Sequence, residues 1–124
     1  LAENNCITNL SLSHNNLTSS TAASLAELLT ASHVLEDINL NNNQLDPYFA
    51  AEIGKTFEMN GQIKSLDFSH NNLLDLGVTM IARYSLNVDS LTTLNLAYNN
   101  ITELGVYLVD EALKVIGKPE NFNR

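Results

Sequence analysis

The stretch LSLSHNN at residues 10–16 returns almost unchanged as LDFSHNN at residues 66–72. Two further variants, INLNNNQ at residues 38–44 and LNLAYNN at residues 94–100, complete a set of four. The copies keep a spacing of 28 residues, without insertion or deletion, when they are aligned on their first apolar residues, Ile7, Leu35, Ile63 and Leu91. Repetition at a fixed period of this length predicts a solenoid, in which each unit stacks on its neighbours.

Each repeat changes its hydrophobic period once. In the first half, apolar residues alternate with polar ones, as at Leu66 and Phe68, and this pattern predicts a short strand with one buried face. In the second half, apolar residues recur three and four positions apart, as at Val78, Ile81 and Ala82, and this spacing predicts one buried helical stripe. Each repeat is therefore expected to contain one strand and one helix.

The sequence indicates where two of the helices begin. Asp46 before Pro47 predicts an N-cap followed by a proline at the first helical position, and Thr18 or Ser19 is expected to cap the first helix.

Parallel strands stack about 4.8 Å apart, whereas helix axes need about 8 to 10 Å. The stack must therefore curve. We predict an α/β solenoid of four repeats, with a parallel inner sheet on the concave side and helices outside.

An asparagine stands at the ninth position of every repeat: Asn15, Asn43, Asn71 and Asn99. Where the chain turns out of its strand, inner backbone groups lose their ladder partners, and buried backbone groups must be paired. An asparagine amide can donate and accept at once. The four side chains are therefore predicted to form a structural asparagine ladder, while the neighbours Asn42 and Asn72 are expected to face solvent.

The pattern L-x-x-L-x-L-x-x-N-x-L followed by a helical half resembles the leucine-rich repeat family over residues 7–118. The repeat length, together with helices similar to L-x-x-x-G-x-x-x-L-A-x-x-L, resembles the ribonuclease-inhibitor-like subclass. That subclass includes the repeat regions of NOD-like receptors, tropomodulins and the Ran GTPase-activating protein, and its members are mostly intracellular. The chain departs from ribonuclease inhibitor itself, which is rich in cysteine. The resemblance implies partner binding on the concave side.

The whole chain, residues 1–124, is predicted to be a single leucine-rich repeat segment. Its parts are expected to be the tail of a preceding repeat at 1–6, repeats at 7–34, 35–62, 63–90 and 91–118, and a C-terminal tail at 119–124. An open amino-terminal edge of such a stack would favour self-association. Asp110 takes a helix position that holds Ala or Gly in the other repeats, so we also expect the carboxyl end to lie near the end of the array.

Composition excludes several function classes. The 124 residues are 44% hydrophobic and 16% charged, which fits a folded domain. The net charge of -8 argues against binding nucleic acid or an anionic membrane through a basic patch. A single cysteine, Cys6, rules out an intrachain disulfide, and this favours a reducing compartment. A cytoplasmic location is therefore expected, and it agrees with the resemblance.

The outward strand positions supply the candidate binding surface. The third, fifth and seventh residues of each repeat point onto the concave face, and the eighth stands at the strand exit. The candidate partner-binding residues are Asn9, Ser11, Ser13, His14, Asp37, Asn39, Asn41, Ser65, Asp67, Ser69, His70, Thr93, Asn95 and Tyr98. Tyr98, His14 and His70 are the expected main contacts, since binding hot spots favour large side chains of mixed character. The alternative is an unused, solvated surface.

Catalytic and metal sites are not expected. His14 and His70 are two repeats apart, or roughly 10 Å, whereas ligands of one zinc ion lie only about 4 Å from each other. Cys6 falls at the end of a repeat, where Val34, Gln62 and Ser90 stand in the other copies, so it is interpreted as a gap filler. No glycine-rich phosphate loop follows a strand. The sequence therefore predicts neither an enzyme nor a bound metal or cofactor.

The predicted function is recognition of another protein on the concave face. One alternative is regulation of a GTPase, by resemblance to the Ran GTPase-activating protein, although the two arginines, Arg83 and Arg124, do not stand at strand exits. A second alternative is a structural or actin-capping scaffold, by resemblance to tropomodulin. No sequence feature selects the partner.

Overall fold

The computed structural model describes residues 7–32, 34–58, 62–85, 88–116 and 122–123. Strands and helices alternate along the chain, as the change of period in each repeat predicts. The strands are β1 (Asn9–Ser11), β2 (Asp37–Asn39), β3 (Ser65–Asp67), β4 (Thr93–Asn95) and β5 (Phe122–Asn123). The helices are α1 (Ala22–Ala31), α2 (Pro47–Glu58), α3 (Leu74–Ser85) and α4 (Glu103–Ile116).

Within the described residues the strands form one parallel sheet in the order β1-β2-β3-β4-β5. Its register follows the sequence repeat, since Leu10 pairs with Ile38, Ile38 with Leu66, and Leu66 with Leu94. The predicted α/β solenoid, with one strand and one helix in each of four repeats, is confirmed.

β5 is a difference from the expected C-terminal tail at 119–124. Phe122 pairs with Leu94 and Asn123 with Asn95, which continues the register of one strand per 28 residues. Asp110, on α4, is half-buried. The expected preceding-repeat segment, residues 1–6, lies outside the described residues.

The core lies between the sheet and the helices. The inward residues of β2, β3 and β4 are buried, whereas Leu10 on β1 and Leu12 just after it are only partly buried. Phe68 is fully buried and makes edge contacts with Phe49, at 6.3 Å between ring centroids, and with Phe57, at 5.9 Å. These ring contacts pack the sheet side of the core against α2.

The helix starts depend on the residue at the twelfth position of each repeat. Asp46 caps α2, since its Oδ1 accepts a hydrogen bond from the Phe49 N–H at 3.1 Å, and Pro47 is the first helical residue as expected. Thr18 instead caps a short 3-10 helix, Ser19–Thr21, which precedes α1. The first helix is therefore shorter than the other three that are described.

Candidate functional site

The ladder asparagines join each turn to the turn of the preceding repeat. Asn43 Oδ1 accepts hydrogen bonds from the N–H groups of Asn15 at 3.0 Å and Leu17 at 2.9 Å. Its Nδ2 donates to the carbonyls of Leu12 and Leu40, both at 3.0 Å. One side chain thus pairs backbone groups on both sides of a repeat boundary.

The same arrangement recurs one and two repeats later. Asn71 Oδ1 accepts from Leu45 N–H at 3.1 Å, and Asn99 Oδ1 accepts from Leu73 N–H at 3.2 Å. Each Nδ2 also donates back to the preceding repeat, Asn71 to the Leu40 carbonyl and Asn99 to the Phe68 carbonyl, both at 3.0 Å.

Asn15, at the amino-terminal side of the ladder, is different. Its side chain is exposed, and its amide donates to the Ser13 carbonyl of its own turn at 3.1 Å.

The strand exits share a backbone conformation that the sequence did not reveal. The eighth residue of every repeat has a positive φ of 55 to 59°, and the four residues are His14, Asn42, His70 and Tyr98. Asparagine and histidine are enriched among the non-glycine residues that adopt this left-handed region, whereas the bulky tyrosine is uncommon there. The backbone still continues the sheet at this point, since the His70 N–H donates to the Ala97 carbonyl at 3.0 Å. The reversal of the chain therefore presents these side chains at the margin of the concave face.

Two of the expected hot-spot residues meet. The rings of His70 and Tyr98 stack with centroids 4.4 Å apart and planes inclined by 15°. Both residues are exposed, Tyr98 by 74%. His14 is also exposed but lies two strands away from His70, so it does not join this pair. The stacked pair is a flat aromatic platform between the third and fourth repeats.

Three of the candidate contact residues also have a local structural role. The side-chain oxygens of Asn39, Asp67 and Asn95 each accept a hydrogen bond from the N–H two residues later, at 2.9 to 3.1 Å. These are Asx turns, in which a short polar side chain replaces the next backbone acceptor. The signal was present in the sequence, because an Asn or Asp stands at the fifth position of these three repeats.

A shallow groove on the concave face brings most of the expected strand residues together. It is lined by Asn9, Leu10, Ser11, Asp37, Ile38, Asn39, Ser65 and Asp67. The Asn9 amide, oriented with its nitrogen toward β2, donates to Asp37 Oδ2 at 2.7 Å. Beside the groove, Asn41 Oδ1 is buried without a hydrogen-bond partner among the described residues. The groove therefore presents acceptor oxygens, two of its side chains being carboxylates.

Ser69 is a correction to the expected surface. It is only 4% exposed, and its hydroxyl donates to Asp67 Oδ1 at 2.7 Å. Ala97, at the same position of the next repeat, is buried as well. The alternation of strand faces placed both side chains outward. The strand ends at the fifth position, however, and the Asx turn then bends the seventh residue inward. Thr93, in contrast, is exposed as predicted.

The neighbours of the ladder also differ from the expectation. Asn72 is exposed, but Asn42 is half-buried and has a φ of 55°.

No group of three or more His, Cys, Asp or Glu side chains that could hold a metal ion occurs in the part of the chain that the structure describes. In the same residues, no helix is both long enough and apolar enough to cross a membrane.

The fold and the ladder define a class, that of solenoids built from strand–turn–helix units with an asparagine at each turn. Family models of the leucine-rich repeat match residues 6–28, 63–82 and 90–109, about half of the chain in total. The chain belongs to the leucine-rich repeat family. No curated protein matches it at the sequence level.

Two solved structures are similar to the chain. One is the Leiomodin-1 Actin-Binding Site 2 (ABS2), with a TM-score of 0.87 and 20% identity over 98% of this chain and 72% of that chain. The other is the tropomodulin C-terminal domain of Caenorhabditis elegans, with a TM-score of 0.65 and 13% identity over 95% of this chain and 89% of that chain. At these identities the likeness establishes the fold alone.

Proposed function

We propose that the chain binds a partner protein through its concave strand face. The observation that carries this proposal is the groove across β1, β2 and β3, which gathers six of the predicted contact residues on one continuous parallel sheet. The stacked His70 and Tyr98 rings form a second, aromatic element at the margin of the same face. Aromatic side chains of mixed character are common anchors at interfaces.

The chemistry of the groove favours a partner that supplies hydrogen-bond donors. Asp37 and Asp67 lie diagonally across β2 and β3, since Asp37 pairs with Ser65 and Asn39 pairs with Asp67. Lysine, arginine or amide groups of a partner would complement these oxygens, and the net charge of -8 would attract a basic surface over longer range.

The binding is expected to be weak for this segment alone. Five strands at about 4.8 Å each span only about 20 to 25 Å, whereas a standard interface buries about 800 Å² on each partner.

Exposed charges on the helix side, such as Glu27, Lys55 and Arg83, have the mixed signs of an ordinary solvated surface.

A second, more specific candidate function is binding of actin as the partner protein. The extent of the likeness to the leiomodin actin-binding site, 98% of this chain, favours it. Regulation of a GTPase has less support, because Arg83 lies in the last turn of α3, away from the strand exits. We further propose that the chain acts in the cytoplasm as a binding protein, without catalysing a reaction and without a cofactor.

The test uses two matched variants that each remove two negative charges. Asp37→Asn with Asp67→Asn neutralises the groove and keeps an acceptor oxygen for the Asx turn at Asp67. Glu27→Gln with Glu52→Gln does the same on the exposed helix side. Each protein is compared with wild type for binding to monomeric and filamentous actin and for capture of partners from a native lysate.

We expect the groove variant to lose binding and the helix-side variant to retain it. The reverse pattern, with both variants folded, would contradict the concave face as the binding surface. Capture of a partner other than actin, together with no binding to either form of actin, would exclude the actin candidate and leave the surface proposal standing.

A further inference from the structure

Exposed apolar side chains recur at one position of the repeat, near the start of the helix. The fourteenth residues of the second, third and fourth repeats are Tyr48, Leu76 and Leu104, which are 77%, 63% and 61% exposed. All three lie in the first turns of α2, α3 and α4. Leu76 lies on α3, which packs between α2 and α4, so its exposure does not come from the end of the stack. We call these three residues the helix-start stripe.

A strained leucine lies beside the stripe. Leu74 has a φ of 61° and is 40% exposed, at the position where Thr18, Asp46 and Thr102 stand in the other repeats. Bulky residues are unfavourable in the left-handed conformation, and a leucine that stays exposed contributes little hydrophobic stabilisation to the fold. Strain in a well-ordered fold is a reason to look for a function there. The sequence thus places an apolar side chain where a polar residue would be more stable.

The charged residues nearest to the stripe in sequence are acidic, whereas the exposed Lys55 and Arg83 lie seven residues beyond Tyr48 and Leu76. Residues 42–52, 70–80 and 98–108, which run from the strand exits through the first helical turns, contain no Lys or Arg. They contain four acidic residues, Asp46, Glu52, Asp75 and Glu103. An apolar stripe bordered by acids is complementary to an apolar surface bordered by bases.

We propose that the helix-start stripe docks an amphipathic helix of a partner protein whose apolar face is flanked by lysine or arginine. Adjacent helix axes lie about 8 to 10 Å apart, and residues i and i+7 of a helix are separated by about 10.5 Å along its axis. Apolar residues at i, i+7 and i+14 of a crossing helix would therefore meet Tyr48, Leu76 and Leu104 in turn. This is helix recognition by a row of anchors at helical spacing.

Charge also decides against two other occupants of the stripe. A second copy of the chain would bring the same acidic border against itself, and an anionic lipid surface would repel it. The inference is independent of the concave-face proposal, because the two surfaces use different residues and can be altered separately.

The test uses a synthetic 18-residue helical peptide with leucine at i, i+7 and i+14, further apolar residues on the same face, and flanking lysines. A second peptide replaces each lysine by glutamate. Binding of each to the full chain is measured by fluorescence anisotropy, and circular dichroism checks that every variant is folded. The variants are Leu76→Ser with Leu104→Ser on the stripe, and Ala23→Ser, which changes an exposed apolar side chain on α1, a helix that carries no residue of the stripe.

We expect the lysine peptide to bind, the double variant to weaken its binding by at least about tenfold, and Ala23→Ser to leave binding unchanged. Leu74→Asn should weaken binding while raising the thermal midpoint of the protein. Equal binding of the two peptides, wild-type binding by the double variant, or loss of binding in Ala23→Ser would each overturn the proposal. Concentration-dependent dimerisation that disappears in the double variant would also overturn it, in favour of a second copy.

Discussion

Asn71→Ala isolates the contribution of one ladder residue. Asn71 is 7% exposed, and its Oδ1 accepts the Leu45 N–H while its Nδ2 donates to the carbonyls of Leu40, Phe68 and Ser69. The carbonyls of Leu40 and Phe68 also accept from neighbouring ladder amides, those of Asn43 and Asn99. They would therefore keep one hydrogen bond each. The Leu45 N–H has no comparable second acceptor among the hydrogen bonds of the described residues.

The magnitude follows from this asymmetry. One buried donor left without a partner destabilises a fold by about 1 to 3 kcal/mol, and the weakened carbonyls add a smaller amount. We expect Asn71→Ala to lower the free energy of unfolding by about 2 to 4 kcal/mol. The measurement is urea denaturation followed by far-ultraviolet circular dichroism, with the midpoint and the slope both fitted.

The choice of control matters here. Asn72→Ala removes an exposed side chain whose Oδ1 accepts from Asn100 Nδ2 at 2.8 Å, and should change the free energy of unfolding by less than about 1 kcal/mol. Asn42→Ala is unsuitable, because Asn42 has a positive φ that alanine tolerates poorly. Asn71→Asp keeps the acceptor for Leu45 but turns a carboxylate toward three carbonyls, so it should also be strongly destabilising. Equal midpoints for Asn71→Ala and Asn72→Ala would refute the ladder argument.

Two further changes test the packing between helices. Gly54→Ala should destabilise the fold by about 1 to 3 kcal/mol, because a Cβ there would clash with the ring of Tyr84 on α3. A smaller loss in the Tyr84→Ala background, measured by chemical denaturation, would identify that ring as the cause. Asp75→Ala should destabilise the fold by about 1 kcal/mol, because the Asp75 carboxylate accepts from both the N–H and the hydroxyl of Thr102 at the start of α4. A thermal midpoint unchanged by Asp75→Ala would contradict this second prediction.

Most of the fold could be predicted because every repeat encodes the same local structure. The pairs Ile38 with Leu40 and Leu94 with Leu96 alternate with polar residues, and all four side chains are buried as the alternation predicts. Stacking then follows from the constant period, since an insertion in any repeat would shift the register of its strand. β5 was missed because Phe122 and Asn123 are too few residues to display an alternation.

The site was harder to predict because it depends on backbone conformation and on neighbouring repeats. Glycine is the usual sequence signal for a left-handed backbone conformation, but the strand exits carry histidine, asparagine and tyrosine. Leu76 and Leu104 fall within helices that also bury leucines and valines, and a short apolar pattern does not tell which of its members face outward. The burial of Ser69 follows from the turn that Asp67 makes, which alternation alone does not describe.

The structural roles of the repeat positions limit where recognition on the concave face can be tuned. The fifth position closes an Asx turn in three repeats, and the ninth holds the ladder, so changes at either alter the fold as well as the surface. The seventh position is buried in the third and fourth repeats. The third and eighth positions remain, and their members are Asn9, Asp37, Ser65 and Thr93, and His14, Asn42, His70 and Tyr98. Partner choice by this face should therefore depend on these two rows, with the eighth restricted to residues that accept a positive φ.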